Sequence, residues 1–287
     1  MGLTQNNSLI DTTNSKNYDH FFSLYHIFLH LDKKYALIKG RNREIIRNFL
    51  IWYFDINKNK YKEKLLKQLW DYEKSCENLN PQSPKSYENL NRDNAKYKKE
   101  ELILEKSLEF AKQSLKLYIK WRKILTQNDI LIIAKHNIVD RFKYYFNLSK
   151  DDENTILEII KNNIQTEFSI PRQFLMEFHN AMSHLYKVYY DAGLKENIPR
   201  ACNHFKRGTL DLHKIIIKDF FILVSHKNLK NDEEIKLIQN KVFQIRNEEY
   251  KTIGNDKGRM KVETLFEKYA KISNDIINFK SKTKDKK

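Results

Sequence analysis

Apolar residues recur along this chain at offsets of three and four, the period of a helix that buries one side. From Tyr18 to Gly40 the pattern puts Phe21, Phe22, Leu24, Tyr25, Phe28 and Leu29 on one face, and Gly40 suits a helix stop. A second helix is predicted from about Asn42 through REIIRNFLIWYF, with the Trp52–Tyr53–Phe54 cluster in the core. A third covers KYKEKLLKQLWDYEKSC, where Leu65, Leu66, Leu69 and Trp70 keep helical offsets. A long amphipathic helix runs from about Lys98 to Gln127, spacing Leu104, Leu108, Ala111, Leu115 and Tyr118 by four, three, four and three. Residues 128–147 form the next, with Asn128 as cap, and SKDDENTILEIIKNNI restarts with serine followed by acids, as helix entries do.

Two central helices follow. Ser169 and Pro171 suit the start of one and Gly193 its stop, while Pro199 opens the next, so 193–198 is a short link between antiparallel neighbours. The segments after 231 read as a C-terminal helical hairpin with a basic tail. Two prolines, five asparagines and three serines between 75 and 94 mark the longest break. The expected organisation is a loose N-terminus over 1–17, an N-terminal helical region over 18–127 with a loop at 75–97, a helical core over 128–230, and the hairpin over 231–287. Only six glycines and four prolines are present, too few for the turns of a sandwich or barrel, so the fold class expected is an all-α bundle.

Charge narrows the partners. Fifty-three Lys+Arg against 37 Asp+Glu give +16, which concentrates polyanions at the surface, although a Lys- and Asn-rich composition also follows from AT-rich coding. Cys76 and Cys202 make no C-x-x-C pair, so a reducing cytoplasm is expected and cysteine-held zinc is not. No run approaches about 18 apolar residues, so no membrane span is expected. The N-terminus lacks a secretory pattern, and Asn6 breaks a myristoylation signal begun by Gly2. His26 and His30 stand at i, i+4 without a third ligand, so no metal is expected, and the absence of a P-loop, G-x-G-x-x-G or G-x-S-x-G leaves no cofactor to name. RFKYYFN, 141–147, interleaves cations with aromatics, as single-strand binders and ordinary packed helices both do.

The candidate chemistry lies in an echo. AMSHLYKVYYD (181–191) and ACNHFKRGTLD (201–211) share Ala, His, a basic residue and Asp at fixed offsets. At 100° per residue, Glu177, His184 and Asp191 line one border of the first central helix, and His204, Asp211 and Lys218 the matching border of the second, with Arg207 beside them. Two readings fit: a polar network holding the helices together, or histidines that bind a phosphate or move its protons beside Arg200, Arg207, Lys187 and Lys206.

The run EFHNAMSHL, 177–185, resembles the E-x-R-N-A-x-x-H-L signature of the HEPN superfamily of helical prokaryotic toxins and antiviral effectors, and 201–211 resembles the second helix of one branch of it. That resemblance implies a helical bundle over 128–230, dimerisation and metal-independent RNA cleavage. His184 would transfer the proton and Asn180 be its polar neighbour, with His179 standing where the family carries arginine. Arg172 restores an R-x6-H spacing to His179, His204 and Asp211 form a second acid–base pair, and Arg200 and Arg207 are cations for the phosphate. The protein expected is a cytoplasmic RNA-binding ribonuclease of a defence or toxin system, as a homodimer or a subunit of a larger complex. The alternative is a non-catalytic subunit of a defence complex that binds RNA or another nucleic acid, or serves as a scaffold, while its partner carries the chemistry.

Overall fold

The computed structural model describes residues 15–38, 43–54, 58–75, 95–139, 143, 146, 148–163, 170–190, 196–229, 232–252 and 262–284. Among the described residues the protein is all-α, with no strand. In chain order the helices are α1 (Ser15–Tyr35), α2 (Arg43–Tyr53), α3 (Lys58–Ser75), α4 (Ala95–Ile124), α5 (Gln127–Ala134), α6 (Lys150–Asn163), α7 (Arg172–Tyr190), α8 (Asn197–His226), α9 (Glu233–Thr252) and α10 (Val262–Lys284), and a π-turn, Lys135–Val139, follows α5. Of the loose N-terminus expected over 1–17, residues 15–17 are instead the start of α1, and of the loop expected over 75–97, residues 95–97 are the start of α4. Residues 1–14 and 76–94, Gly40, Ser169, Asp191, Gly193, most of 141–147 and the last three residues lie outside the described residues.

Helix ends differ from expectation where side chains compete for them. Thr126, not Asn128, caps α5: its hydroxyl accepts from the Asp129 amide at 3.1 Å while Asp129 accepts from the Thr126 amide at 3.1 Å. This reciprocal pair satisfies two orphan donors, against one for a lone Asn cap. The α-helix expected to reach residue 147 gives way to the π-turn after Ala134. Helix α8 starts at Asn197, leaving Pro199 in its first turn, where a missing N–H removes no helical bond. After Tyr35 the chain leaves α1 through Ala36 at φ 51°, and Asp32 holds the exit by accepting the Ile38 amide at 2.7 Å.

The chain divides into two units, each interrupted in sequence. Unit 1 joins Met1–Lys112 to Ile170–Gly208. Its core is aromatic: Phe21, Tyr25, Phe28, Phe49 and Trp52 from α1 and α2 meet edge-to-face or tilted at centroid distances of 5.1 to 5.7 Å, and Tyr53 and Phe54 meet Phe178 of α7 at 5.9 and 6.1 Å. Such pairs add about 0.5–1.5 kcal/mol each beyond burial. Asn48 is buried because it donates to Gln68 across α2 and α3. Trp70, expected on the apolar face of α3, is 55% exposed.

Unit 2 joins Gln113–Ser169 to Thr209–Lys287. Trp121, Ile216, Phe220, Tyr269 and Ile276 are buried in it. Several of its buried polar groups are bonded, although the buried Asn137 Oδ1 has no partner among the described residues. His213 lies between the hydroxyls of Ser114 and Ser273, each 2.8 Å away, Trp121 Nε1 donates to Asp219, and Asp129 accepts from Lys227 and Lys280 at 2.8 and 2.7 Å. Burial without those two ammonium groups would be prohibitive for Asp129; with them, its carboxyl is held far below the usual carboxylate range. Helices α9 and α10 form the expected C-terminal hairpin, tied by Lys241–Asp275, Lys268–Glu248 and the Tyr269 hydroxyl on Glu249.

Candidate functional site

Helices α7 and the first turns of α8 carry the signature residues, all within unit 1. They interlock through cross-helix pairs. His204 Nδ1 lies 2.6 Å from Glu177 Oε2, and His184 Nδ1 lies 2.8 Å from Asn197 Oδ1. The two imidazoles stack on each other at 5.4 Å between centroids and 19° between planes. Gln173 donates to the other Glu177 oxygen at 3.3 Å. The polar network read as one alternative from the sequence is present, but its register differs: each histidine pairs across the helices, Glu177 taking His204.

This register sets the tautomers. An amide oxygen and a carboxylate oxygen only accept, so each histidine donates from Nδ1 and, when neutral, presents a lone pair on Nε2. Neither Nε2 has a partner among the described residues. Burial holds the His184 pKa below the ordinary imidazole value, and the nearby charges of His204, Arg200 and Lys187 push the same way, against the opposing Asn197 hydrogen bond. His184 is therefore neutral at pH 7, a state that takes up a proton.

Close approach of the helices depends on Gly208. A methyl group there would stand 2.9 Å from Phe174 Cδ2 and 3.3 Å from Glu177 Cβ, so the absent side chain is what admits the Glu177 segment beside His204. Around the pair are cations. Arg200, His204 and Arg207 stand at i, i+4 and i+7 on α8, one stripe about 10 Å long. Arg172, Lys187, Arg200 and Arg207 are exposed and Lys206 is half-buried. Arg200 reaches only a loose 3.9 Å contact with Glu196, leaving its guanidinium open to a ligand.

Other expected site residues go elsewhere. His179 is 8% exposed; its Nδ1 meets the Tyr25 hydroxyl at 2.8 Å, and Asp32 stands 3.6 Å from its Nε2. Burial lowers its pKa while Asp32 opposes, and burial raises the Tyr25 hydroxyl well above its usual range. His179 thus belongs to a sealed link between α1 and α7, and the exposed Arg172 does not share its environment. Asn180 is half-buried on α7, and Asp211 lies on α8 seven residues past His204, whose Nδ1 is taken by Glu177 instead. His26 is bonded and stacked to Tyr186, and the described residues contain no cluster of three or more His, Cys, Asp or Glu suited to a metal. The sequence reading missed Asn197 and Gly208. A glycine inside a helical run signals close backbone approach, and it was the one legible sign of this contact.

The fold and the site together define an all-α protein with a half-buried histidine pair flanked by open cations. No helix among the described residues is long and apolar enough to cross a membrane. Compared with family models, curated proteins and solved structures, the chain matches none.

Proposed function

We propose that the protein binds RNA along α7 and α8 of unit 1 and cleaves it without a metal. The observation that carries this reading is the pair of stacked imidazoles whose Nδ1 atoms are both fixed by acceptors and whose Nε2 atoms are both left for a ligand. Neutral His184 takes the proton of a ribose 2′-hydroxyl as that oxygen bonds to phosphorus. His204, oriented by Glu177 through Nδ1, acts in its doubly protonated form and gives the Nε2 proton to the departing 5′-oxygen. The products are a 2′,3′-cyclic phosphate and a 5′-hydroxyl, and Arg200 and Arg207 neutralise charge on the phosphorane. The likeness of 177–185 to the HEPN signature agrees with this and extends it to a cytoplasmic defence or toxin protein acting as a homodimer or within a larger complex.

A second reading rests on His179. The position where the signature carries arginine holds a buried imidazole bonded to Tyr25, so the guanidinium expected there is missing. On this reading the protein binds RNA and a partner supplies the chemistry. Incubating purified protein with transfer or generic RNA in EDTA separates the two. Cleavage that falls about 10²–10⁴-fold in His184→Ala and in His204→Ala supports the first. Salt-sensitive binding without cleavage supports the second, and cleavage unchanged in both variants removes the histidine pair from the chemistry.

A further inference from the structure

Unit 2 holds a second concentration of cations. Past Ala134 the chain winds into the five-residue π-turn Lys135–Val139, and such turns, by adding a residue per turn, re-aim side chains and recur at binding sites. Lys135 and His136 border an open cavity of about 620 Å³. Its opposite wall is the end of α8 that lies in unit 2, where Lys218, Phe221, Ile222 and Ser225 face it at i, i+3, i+4 and i+7.

The lining contains no carboxylate. Two buried acids of this unit have partners of their own, Asp129 with Lys227 and Lys280 and Asp219 with the Trp121 indole. Lys135 and Lys218 make no ion pair with any described residue, and although the Asp219 carboxyl feels the Lys218 charge, both ammonium groups share the cavity with an aromatic ring and an aliphatic side chain. A volume of that size is in the range, roughly 300–1,000 Å³, that encloses a small organic ligand. Seven residues of helix span about 10 Å, the reach of one phosphate, one sugar and one base. An inorganic anion would leave the Phe221 and Ile222 wall unused, and an apolar ligand would strand both lysines.

We infer that this cavity binds a free nucleoside phosphate, with its phosphates on Lys135 and Lys218 and its base against Phe221 and Ile222. The site is independent of the histidine pair in unit 1. Calorimetric titration of the full chain with ATP, AMP, adenosine, inorganic phosphate and a short oligonucleotide tests it. ATP should bind saturably at one site, and Lys135→Glu and Lys218→Glu, both surface changes that leave the circular dichroism intact, should each weaken it at least tenfold. Phe221→Leu should weaken it several-fold. Arg200→Glu, in unit 1, should leave ATP affinity unchanged while lowering RNA affinity, so failure here and failure of the ribonuclease reading are told apart. No ATP binding, ATP binding indifferent to both lysine changes, phosphate binding as tight as ATP, or binding of the oligonucleotide alone would each overturn the inference.

Discussion

His213 and Asp219, both buried in unit 2, pull stability in opposite directions as pH changes. Burial presses the His213 pKa from 6.5 to about 4, so between those values the unfolded chain holds a proton that the folded one lacks. Stability from this residue therefore falls as pH drops from 6.5 towards 4. Burial lifts Asp219 from 3.8 to about 6, so between those values the folded chain holds the extra proton, and stability falls as pH rises. Each shift is worth on the order of 3 kcal/mol, and the two offset each other between about pH 4 and 6. Asp219→Asn removes the second and keeps an acceptor for Trp121. The unfolding free energy of that variant, measured by urea titration, should exceed wild type above pH 6 by an amount on the order of 2 kcal/mol, and the advantage should vanish near pH 4. A variant curve parallel to wild type would show that the carboxyl is not held neutral by burial.

Helices α7 and α8 meet at Gly208, and the fit there can be tested by one methyl group. Gly208→Ala gains up to about 1 kcal/mol of helix propensity but forces Phe174 and Glu177 apart, a strain of about 1–3 kcal/mol. The melting temperature should fall by a few degrees and RNA cleavage by more than stability explains, because Glu177 moves with its hydrogen bond to His204. A variant as stable and active as wild type would mean the contact is not tight. The helices themselves were legible, since a 3.6-residue period is local and Pro171 and Pro199 punctuate it. Their register was not. Whether His184 meets Asn197 or a carboxylate depends on how far one helix slides along the other, which no single-helix wheel contains. The Tyr25–His179 bond spans 154 residues and left no trace in either segment. The π-turn was equally hidden, because KHNIV contains no glycine or proline to announce it. The cap expected at Asn128 moved to Thr126 because Asp129, three residues past Thr126, completes the reciprocal pair.

For the molecule as a whole, the excess of 16 positive charges predicted polyanion contact without saying where. On the proposed reading, the open stripe of Arg200 and Arg207 in unit 1 is one such place. Replacing both with glutamate should reduce the slope of log affinity for single-stranded RNA against log salt by about 1.4, two phosphates at roughly 0.7 each, as measured by filter binding. An unchanged slope would move the RNA to another surface. The interleaving of the two units also bears on how the chain is made. Unit 1 ends at Gly208 and unit 2 begins at Gln113, so a cut at any single peptide bond leaves at least one of them incomplete. During synthesis the first 112 residues emerge long before the stretch from 170 to 208 that completes their core. The aromatic face of α1 and α2 must wait on the ribosome for α7. A protein split at one point should therefore regain its fold only when both fragments are made together.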